Sequence, residues 1–118
     1  MKKDPKIHVA FILESIELVE EYLKGLTETE FLNSTQQQDA IIRRVELIGE
    51  AVKNISPDVK DRYPEIPWKR IAGMRDILVH DYLGLDLEIT WNVAQVEIPE
   101  LKTKMLEVRR DLEDEDAC

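Results

Sequence analysis

The chain has very little cysteine, which limits both its redox chemistry and its metal chemistry. Among 118 residues there is one cysteine, Cys118, so no internal disulfide can form and a reducing cytoplasm is the expected compartment. Two histidines and a terminal thiol do not supply a ligand cluster with recognisable spacing, which argues against a metalloenzyme. A serine hydrolase lacks support as well, because no nucleophile motif is present. We therefore expect neither a metal nor a cofactor.

Long apolar runs are also missing. No stretch approaches the roughly 18 consecutive apolar residues of a membrane-spanning helix. The first five residues include two lysines but no apolar segment of the kind found in signal peptides. The sequence predicts a soluble, cytoplasmic protein without a membrane partner.

Glycine and aromatic residues are scarce, and this scarcity bears on the fold class. The chain has four glycines and 6% aromatic residues, against 43% hydrophobic and 35% charged residues. Such a composition favours amphipathic helices over sheets, because strands prefer aromatic and β-branched runs. We predict an all-α fold with a single domain over residues 1–112 and an acidic tail at 113–118. The acidic stretch from Asp111 to Cys118 is expected to be a solvated, disordered end.

The apolar spacing predicts about four long helices plus short helical turns. Their approximate ranges are 5–24, 35–54, from 67 through the segment around Arg75, and from 86 to 112 with a kink or fresh start at Pro99. Gly49 lies inside the second of these, where glycine costs about 1 kcal/mol relative to alanine. A close approach of a neighbouring backbone, such as the Arg75 helix, would explain it.

The charge is unevenly distributed along the chain. A net charge of −9 argues against a protein that coats nucleic acid through a general basic surface. Residues 60–80, however, hold five arginines and lysines against three acids, a local excess of two positive charges. This pattern suits a confined phosphate contact and a basic or nucleotide-carrying partner.

The segment from Arg75 to Tyr82 concentrates the unusual chemistry. Arginine offers a fork of donors suited to phosphate oxygens, and histidine titrates near neutral pH. On an ideal helix Asp76 and His80 stack four residues apart, and Arg75 and Tyr82 lie within about 20° of each other. Arg75 and His80 are about 140° apart, so they converge only if the helix frays near Val79 or a second copy of the segment faces the first.

From the residues alone, this segment could also be an ordinary helix end with a surface arginine, a histidine in the last turn and a packed tyrosine. The role of Glu50, on the second predicted helix, is open as well. It is either a solvated surface acid or a supporting partner for Arg75.

The segment Arg75-Asp-Ile-Leu-Val-His80-Asp-Tyr82 resembles the Arg-x4-His-x-Tyr motif of the HepT toxins, a branch of the HEPN superfamily. The resemblance extends from residue 7 to residue 112. It includes four further segments: Ile48-Gly-Glu-Ala51, Ile66-Pro-Trp68 ahead of Gly73-Met-Arg75, Leu87 to Trp91, and Ile98-Pro-Glu-Leu101.

This resemblance implies an up-and-down helical bundle, a homodimer, and a metal-independent endoribonuclease that acts as the toxin of a toxin-antitoxin system. By motif position, Arg75 and His80 correspond to the catalytic pair. Tyr82 corresponds to the tyrosine that a MNT-type nucleotidyltransferase antitoxin modifies with AMP. Many members have asparagine where this chain has Asp76, and an acid beside the arginine weakens phosphate attraction.

A second hypothesis belongs to a different class of protein. The chain could be a non-enzymatic helical module that dimerises and acts as the binding partner or substrate of the nucleotidyltransferase. The low overall basicity and Asp76 both favour this alternative. An RNA cleavage assay with unmodified protein separates the two hypotheses.

Overall fold

The computed structural model describes residues 4–80 and 84–117, with the backbone alone at His80, and this part of the chain is predominantly helical. Its helices are α1 Pro5–Leu23, α2 Glu28–Leu32, α3 Thr35–Lys53, α4 Pro57–Arg62, α5 Trp68–Ala72, α6 Met74–Leu78, α7 Leu87–Asn92 and α8 Ile98–Ala117. A π-helical turn, Val93–Glu97, joins α7 to α8, and two short strands, β1 Val79–His80 and β2 Gly84–Leu85, form an antiparallel pair. The prediction of an all-α helical bundle is confirmed.

Side-chain caps explain where several helices begin. A carboxylate oxygen of Asp4 accepts a hydrogen bond from the backbone two residues on, and Pro5 fills the first position of α1. Thr27 and Glu30 form a reciprocal capping box at the start of α2. Asp86 accepts from the backbone N–H three residues on at 3.0 Å and begins α7. Each of these three helix starts is therefore fixed by a side chain within three residues of it.

The core lies between three long helices. α3 packs along α1, and α8 packs on α1 as well. The side chains that fill the interior are mostly branched aliphatic residues at helical spacing, which is the arrangement that a bundle of amphipathic helices produces. The largest fully buried side chains include Phe31, Ile12, Ile16, Ile41, Ile48, Leu78, Ile98 and Met105.

The helix predicted from residue 67 through the Arg75 segment is divided in the structure. α5 ends at Ala72, and Gly73 alone separates it from α6. α6 in turn ends at Leu78, because Val79 adopts extended backbone angles (φ −109°, ψ 121°). Val79 then pairs with Leu85 across the two short strands. Two short helices and a strand therefore replace one long helix.

Gly49 allows α5 to pack closely against α3. A Cβ atom at Gly49 would lie 3.0 Å from the carbonyl oxygen of Ala72 and 3.2 Å from that of Ile71. Both atoms belong to the backbone and cannot move aside as a flexible side chain does. The predicted close approach is confirmed, and the approaching backbone is that of α5, which leads directly into the helix of Arg75.

We expect Gly49→Ala to destabilise the protein by about 1–3 kcal/mol, because overpacking against α5 outweighs the helix propensity that alanine adds. Urea denaturation followed by circular dichroism measures the change. Gly73→Ala is the matched control, since a Cβ there lies 3.5 Å from its nearest neighbour, an ordinary contact. Equal stability of the Gly49→Ala protein and the wild type would show that the α3–α5 contact is looser than described.

The acidic end of the chain continues as helix, so the prediction of a disordered end is wrong for residues 111–117. α8 extends through this stretch. Its acids have partners on α4 and just after it: Arg62 forms an ion pair with Glu115, and the Tyr63 hydroxyl donates to a carboxylate oxygen of Asp111 at 2.6 Å. Burial and this carboxylate together raise the pKa of Tyr63 to about 12.

An ion pair between Arg70 and Glu97 connects α5 to the π-helical turn. The Arg70 guanidinium donates to both carboxylate oxygens of Glu97, at 2.6 and 2.8 Å, and this lowers the pKa of Glu97. The irregular turn comes just before Pro99, which has no N–H to continue the normal helical ladder. The interruption predicted near residues 97–99 is therefore present, and the Arg70–Glu97 pair joins it to α5.

Among the described helices, none is long and apolar enough to cross a membrane.

Candidate active site

Arg75 lies at the surface on the first turn of α6. The residues that fix this helix are Met74 and Leu78, both buried in the core. Arg75 points away from that interior, with 48% of its side chain exposed. An exposed guanidinium on a helix anchored this way can offer its donors to an anionic ligand.

Two carboxylates flank the Arg75 guanidinium. Asp76 places Oδ1 3.3 Å from Nη1 of Arg75, and its own side chain is 81% exposed. Glu46 of α3 places Oε2 3.8 Å from Nε of Arg75. In the folded protein the positive charge is thus partly compensated, and a phosphate group approaching Arg75 meets both acids.

Of the two interpretations of Glu50, the structure supports the exposed surface acid and not the partner of Arg75. Glu50 forms an ion pair with Lys53 at 3.2 Å, and Glu46 takes its place beside Arg75. Glu46 lies four residues before Glu50, so both occupy the same face of α3, and Arg75 reaches that face one turn nearer the start of the helix. The four-residue spacing could have identified Glu46 as the alternative partner.

His80 lies on β1, where its backbone pairs with Gly84. Because α6 ends at Leu78, Asp76 and His80 do not stack on a continuous helix as predicted. The same ending meets the condition under which one chain can bring Arg75 and His80 toward a common ligand, namely a helix that stops near Val79. The imidazole itself lies outside the described atoms.

Tyr82 lies outside the described residues. The expectation that it shares a helical face with Arg75 therefore concerns a part of the chain about which the structure makes no statement.

The described side chains, those of residues 4–79 and 84–117, do not form a metal site. No group of three or more His, Cys, Asp or Glu side chains is arranged there to hold an ion.

Comparison with known proteins places this chain in a family. The model of the family described as Ribonuclease HepT-like matches residues 12–108. This match covers most of the chain and includes Arg75 and His80. The chain belongs to the HepT-like ribonuclease family, as the motif and the flanking segments indicated.

Several curated relatives align with nearly the whole chain. A probable ribonuclease HepT of Thermococcus cleftensis is 43% identical over 110 residues, which is 93% of this chain and 100% of that protein. A candidate RNase of Methanocaldococcus jannaschii is 40% identical over 115 residues, 98% of this chain and 95% of the other.

One relative is considerably longer than the aligned region. A second Methanocaldococcus jannaschii protein, whose name joins a gamma-glutamylcyclotransferase to a candidate RNase, is 50% identical over 113 residues. The match covers 96% of this chain but only 51% of that relative, so the chain spans about half of its length. No solved structure matches the chain.

Proposed function

We propose that this protein is the toxin of a toxin-antitoxin system and that it cuts RNA in the cytoplasm as a metal-independent endoribonuclease, with Arg75 and His80 at the reacting phosphate. Membership of the HepT-like family supports the reaction class. The observation that carries the proposal is the end of α6 at Leu78, which separates an exposed Arg75 from a strand that carries His80.

Cleavage by internal transesterification needs three catalytic groups from the protein: a base, a cation and an acid. A base removes the proton of the ribose 2′-hydroxyl, whose oxygen attacks phosphorus while the bond from phosphorus to the 5′-oxygen breaks. A cation stabilises the charge that develops on the phosphorane, and an acid protonates the departing 5′-oxygen. Arg75 suits the second task. The products are a 2′,3′-cyclic phosphate and a free 5′-hydroxyl.

A homodimer supplies the other two groups, the general base and the general acid. A single His80 cannot be base and acid in the same step, but the histidines of two protomers can divide the roles across a twofold axis. The exposed position of Arg75 supports such an arrangement, since a second copy can approach it without displacing core residues.

A MNT-type nucleotidyltransferase is the proposed antitoxin, and Tyr82 is its proposed target. AMP on a tyrosine two residues from His80 in sequence adds a phosphodiester anion, which would compete with RNA for the Arg75 guanidinium. Restraint of the toxin then follows from occupation of its own phosphate site.

A non-enzymatic module that binds the nucleotidyltransferase is the second candidate. The specific observation in its favour is the pair of acids beside Arg75, Asp76 and Glu46, in a chain of net charge −9. Both features weaken attraction for RNA phosphate.

RNA cleavage by purified, unmodified protein in the presence of EDTA decides between the two candidates. The nuclease proposal expects cleavage by the wild type and its loss in Arg75→Ala. Lys53→Ala is the matched control, because Lys53 is an exposed cation of α3 whose partner is Glu50. Intact RNA with all proteins, together with a stable complex between the wild type and the nucleotidyltransferase, would favour the non-enzymatic module.

We expect Asp76→Asn to tighten RNA binding by about 2–5-fold, since it removes one exposed acid from beside Arg75 and exposed charge pairs are worth up to about 1 kcal/mol. Fluorescence anisotropy with a labelled RNA measures the change. Asp114→Asn, on the last turns of α8, controls for the change in net charge. Equal tightening by both variants would mean that Asp76 has no local effect on the site.

A further inference from the structure

We propose that Arg43 of α3 is a second contact for RNA phosphate, placed beside Arg75 by the carboxylate of Glu46. This inference rests on the proposed function and extends its substrate site from α6 onto α3. It assigns a binding role to a residue outside the Arg-x4-His-x-Tyr motif.

One carboxylate brings two guanidinium groups together. Glu46 Oε1 accepts a hydrogen bond from Nη1 of Arg43 at 2.7 Å, and its other oxygen, Oε2, lies 3.8 Å from Nε of Arg75. The two arginines come from different helices and are far apart in sequence. Their meeting point therefore depends on the fold, in particular on the packing of α5 and α6 against α3.

Helix stability does not explain the Arg43–Glu46 pair well. Within a helix, an acid that precedes its basic partner is favoured over the reverse order. Glu50 and Lys53, on the same helix, follow the favoured order, whereas Arg43 precedes Glu46. The contact of Glu46 with Arg75, which lies outside α3, is a second interaction that can stabilise this less favoured pair.

Arg43 has donors left for a ligand. Its side chain is 63% exposed, and Glu46 engages one nitrogen, Nη1. A guanidinium has five N–H donors in a planar fork, so the remaining ones can bind phosphate while the contact with Glu46 persists. Such exposed pairs contribute little to folding stability, which allows RNA to rearrange them at low cost.

The chemistry of the ligand follows from this geometry. Two guanidinium groups side by side on one surface match the repeating phosphates of a nucleic acid strand. With Arg75 at the reacting phosphate, Arg43 would hold a neighbouring phosphate of the same RNA strand. Contacts of this kind position the strand and do not read its bases.

The salt dependence of RNA binding tests the inference. The probe is a labelled 2′-O-methyl oligoribonucleotide, which lacks the attacking hydroxyl and so remains uncut during the measurement. For Arg43→Ala we expect Kd to rise about 3–10-fold and the slope of log Kd against log salt to fall by about 0.7, the amount for one single-strand phosphate contact. Lys53→Ala should change neither quantity, and Arg43→Lys should keep the slope of the wild type.

The Glu46→Ala background separates a direct contact from an indirect one. If Arg43 contacts phosphate, the Glu46→Ala/Arg43→Ala double variant should have a slope lower than that of Glu46→Ala by the same amount as Arg43→Ala shows relative to the wild type. A slope that no longer changes in this background would mean that Arg43 acts only by drawing Glu46 away from Arg75, and the inference would be overturned. Circular dichroism and urea denaturation establish that each variant is folded.

Failure of this inference can be told apart from failure of the nuclease proposal. A wild type that cuts natural RNA, with an Arg43→Ala variant of unchanged slope, would remove the role of Arg43 and leave the nuclease intact. A wild type that binds the 2′-O-methyl probe without cutting natural RNA would remove the nuclease, while the slope still decides on Arg43. Absence of binding by the wild type would overturn both.

Discussion

Replacing His80 with alanine should slow RNA cleavage by about 10²–10⁴-fold, the range associated with loss of a general acid or base. The expectation follows from the proposed mechanism, in which each protomer of a dimer contributes one imidazole and both proton transfers depend on them. Single-turnover cleavage of a labelled RNA in EDTA gives the rate. Binding of the uncut 2′-O-methyl probe should change little, because Arg75 remains.

His8→Ala is the matched control for this experiment. His8 is the other histidine of the chain and lies half-buried in the first turns of α1. We expect its removal to leave the cleavage rate near that of the wild type. Retained cleavage in a folded, dimeric His80→Ala protein would eliminate the histidine mechanism, even if the protein proved to be a ribonuclease.

Coexpression with the nucleotidyltransferase should add one or more AMP units to the peptide that contains Tyr82 and abolish RNA cleavage. The physical reason is competition: a phosphodiester attached two residues from His80 would bind the Arg75 guanidinium in place of an RNA phosphate. Intact mass and peptide mass spectrometry locate the modification, and the cleavage assay on the same sample measures its effect.

Two other tyrosines serve as internal controls for the site of modification. Tyr63 is buried and its hydroxyl donates to Asp111, so its oxygen is a poor acceptor for a nucleotidyl group. Tyr22, on α1, is partly buried against the core. Tyr82→Phe protein should carry no AMP after coexpression. Modification at Tyr63 or Tyr22 would refute the proposed restraint, as would a Tyr82-modified protein that still cuts RNA at the normal rate.

Much of the fold follows from local sequence. The caps at Asp4, Thr27 and Asp86 fix helix starts through hydrogen bonds within three residues, and the all-α class follows from composition. Gly49 also predicted a long-range contact correctly, because a glycine inside a strong helical pattern needs a packing reason.

The end of α6 was beyond a local argument. Trp68, Ile71, Met74 and Leu78 keep helical spacing, so the pattern predicts one helix from residue 67 through the segment around Arg75. The structure stops it at Leu78, where Val79 pairs with Leu85 and Gly84 adopts a positive φ of 78°. Pairing between two strands depends on tertiary contacts, which periodicity along one segment does not contain.

In the site, too, the sequence identifies individual residues better than it identifies their contacts. Arg75 can be recognised as a candidate from its chemistry and its motif alone. Its partner on α3 depends on where α6 crosses that helix. The sequence left Glu50 open as a partner, whereas the structure has Glu46 beside Arg75. The acidic end at 111–117 behaves similarly: its charges predict a solvated tail until Arg62 and Tyr63 are found opposite them.

Analysis of the RNA ends produced in EDTA tests the central claim most directly. An arginine–histidine transesterification predicts fragments with a 2′,3′-cyclic phosphate on one side of the cut and a 5′-hydroxyl on the other. Fragments with 5′-phosphate and 3′-hydroxyl ends, or cleavage that stops when EDTA is added, would contradict it.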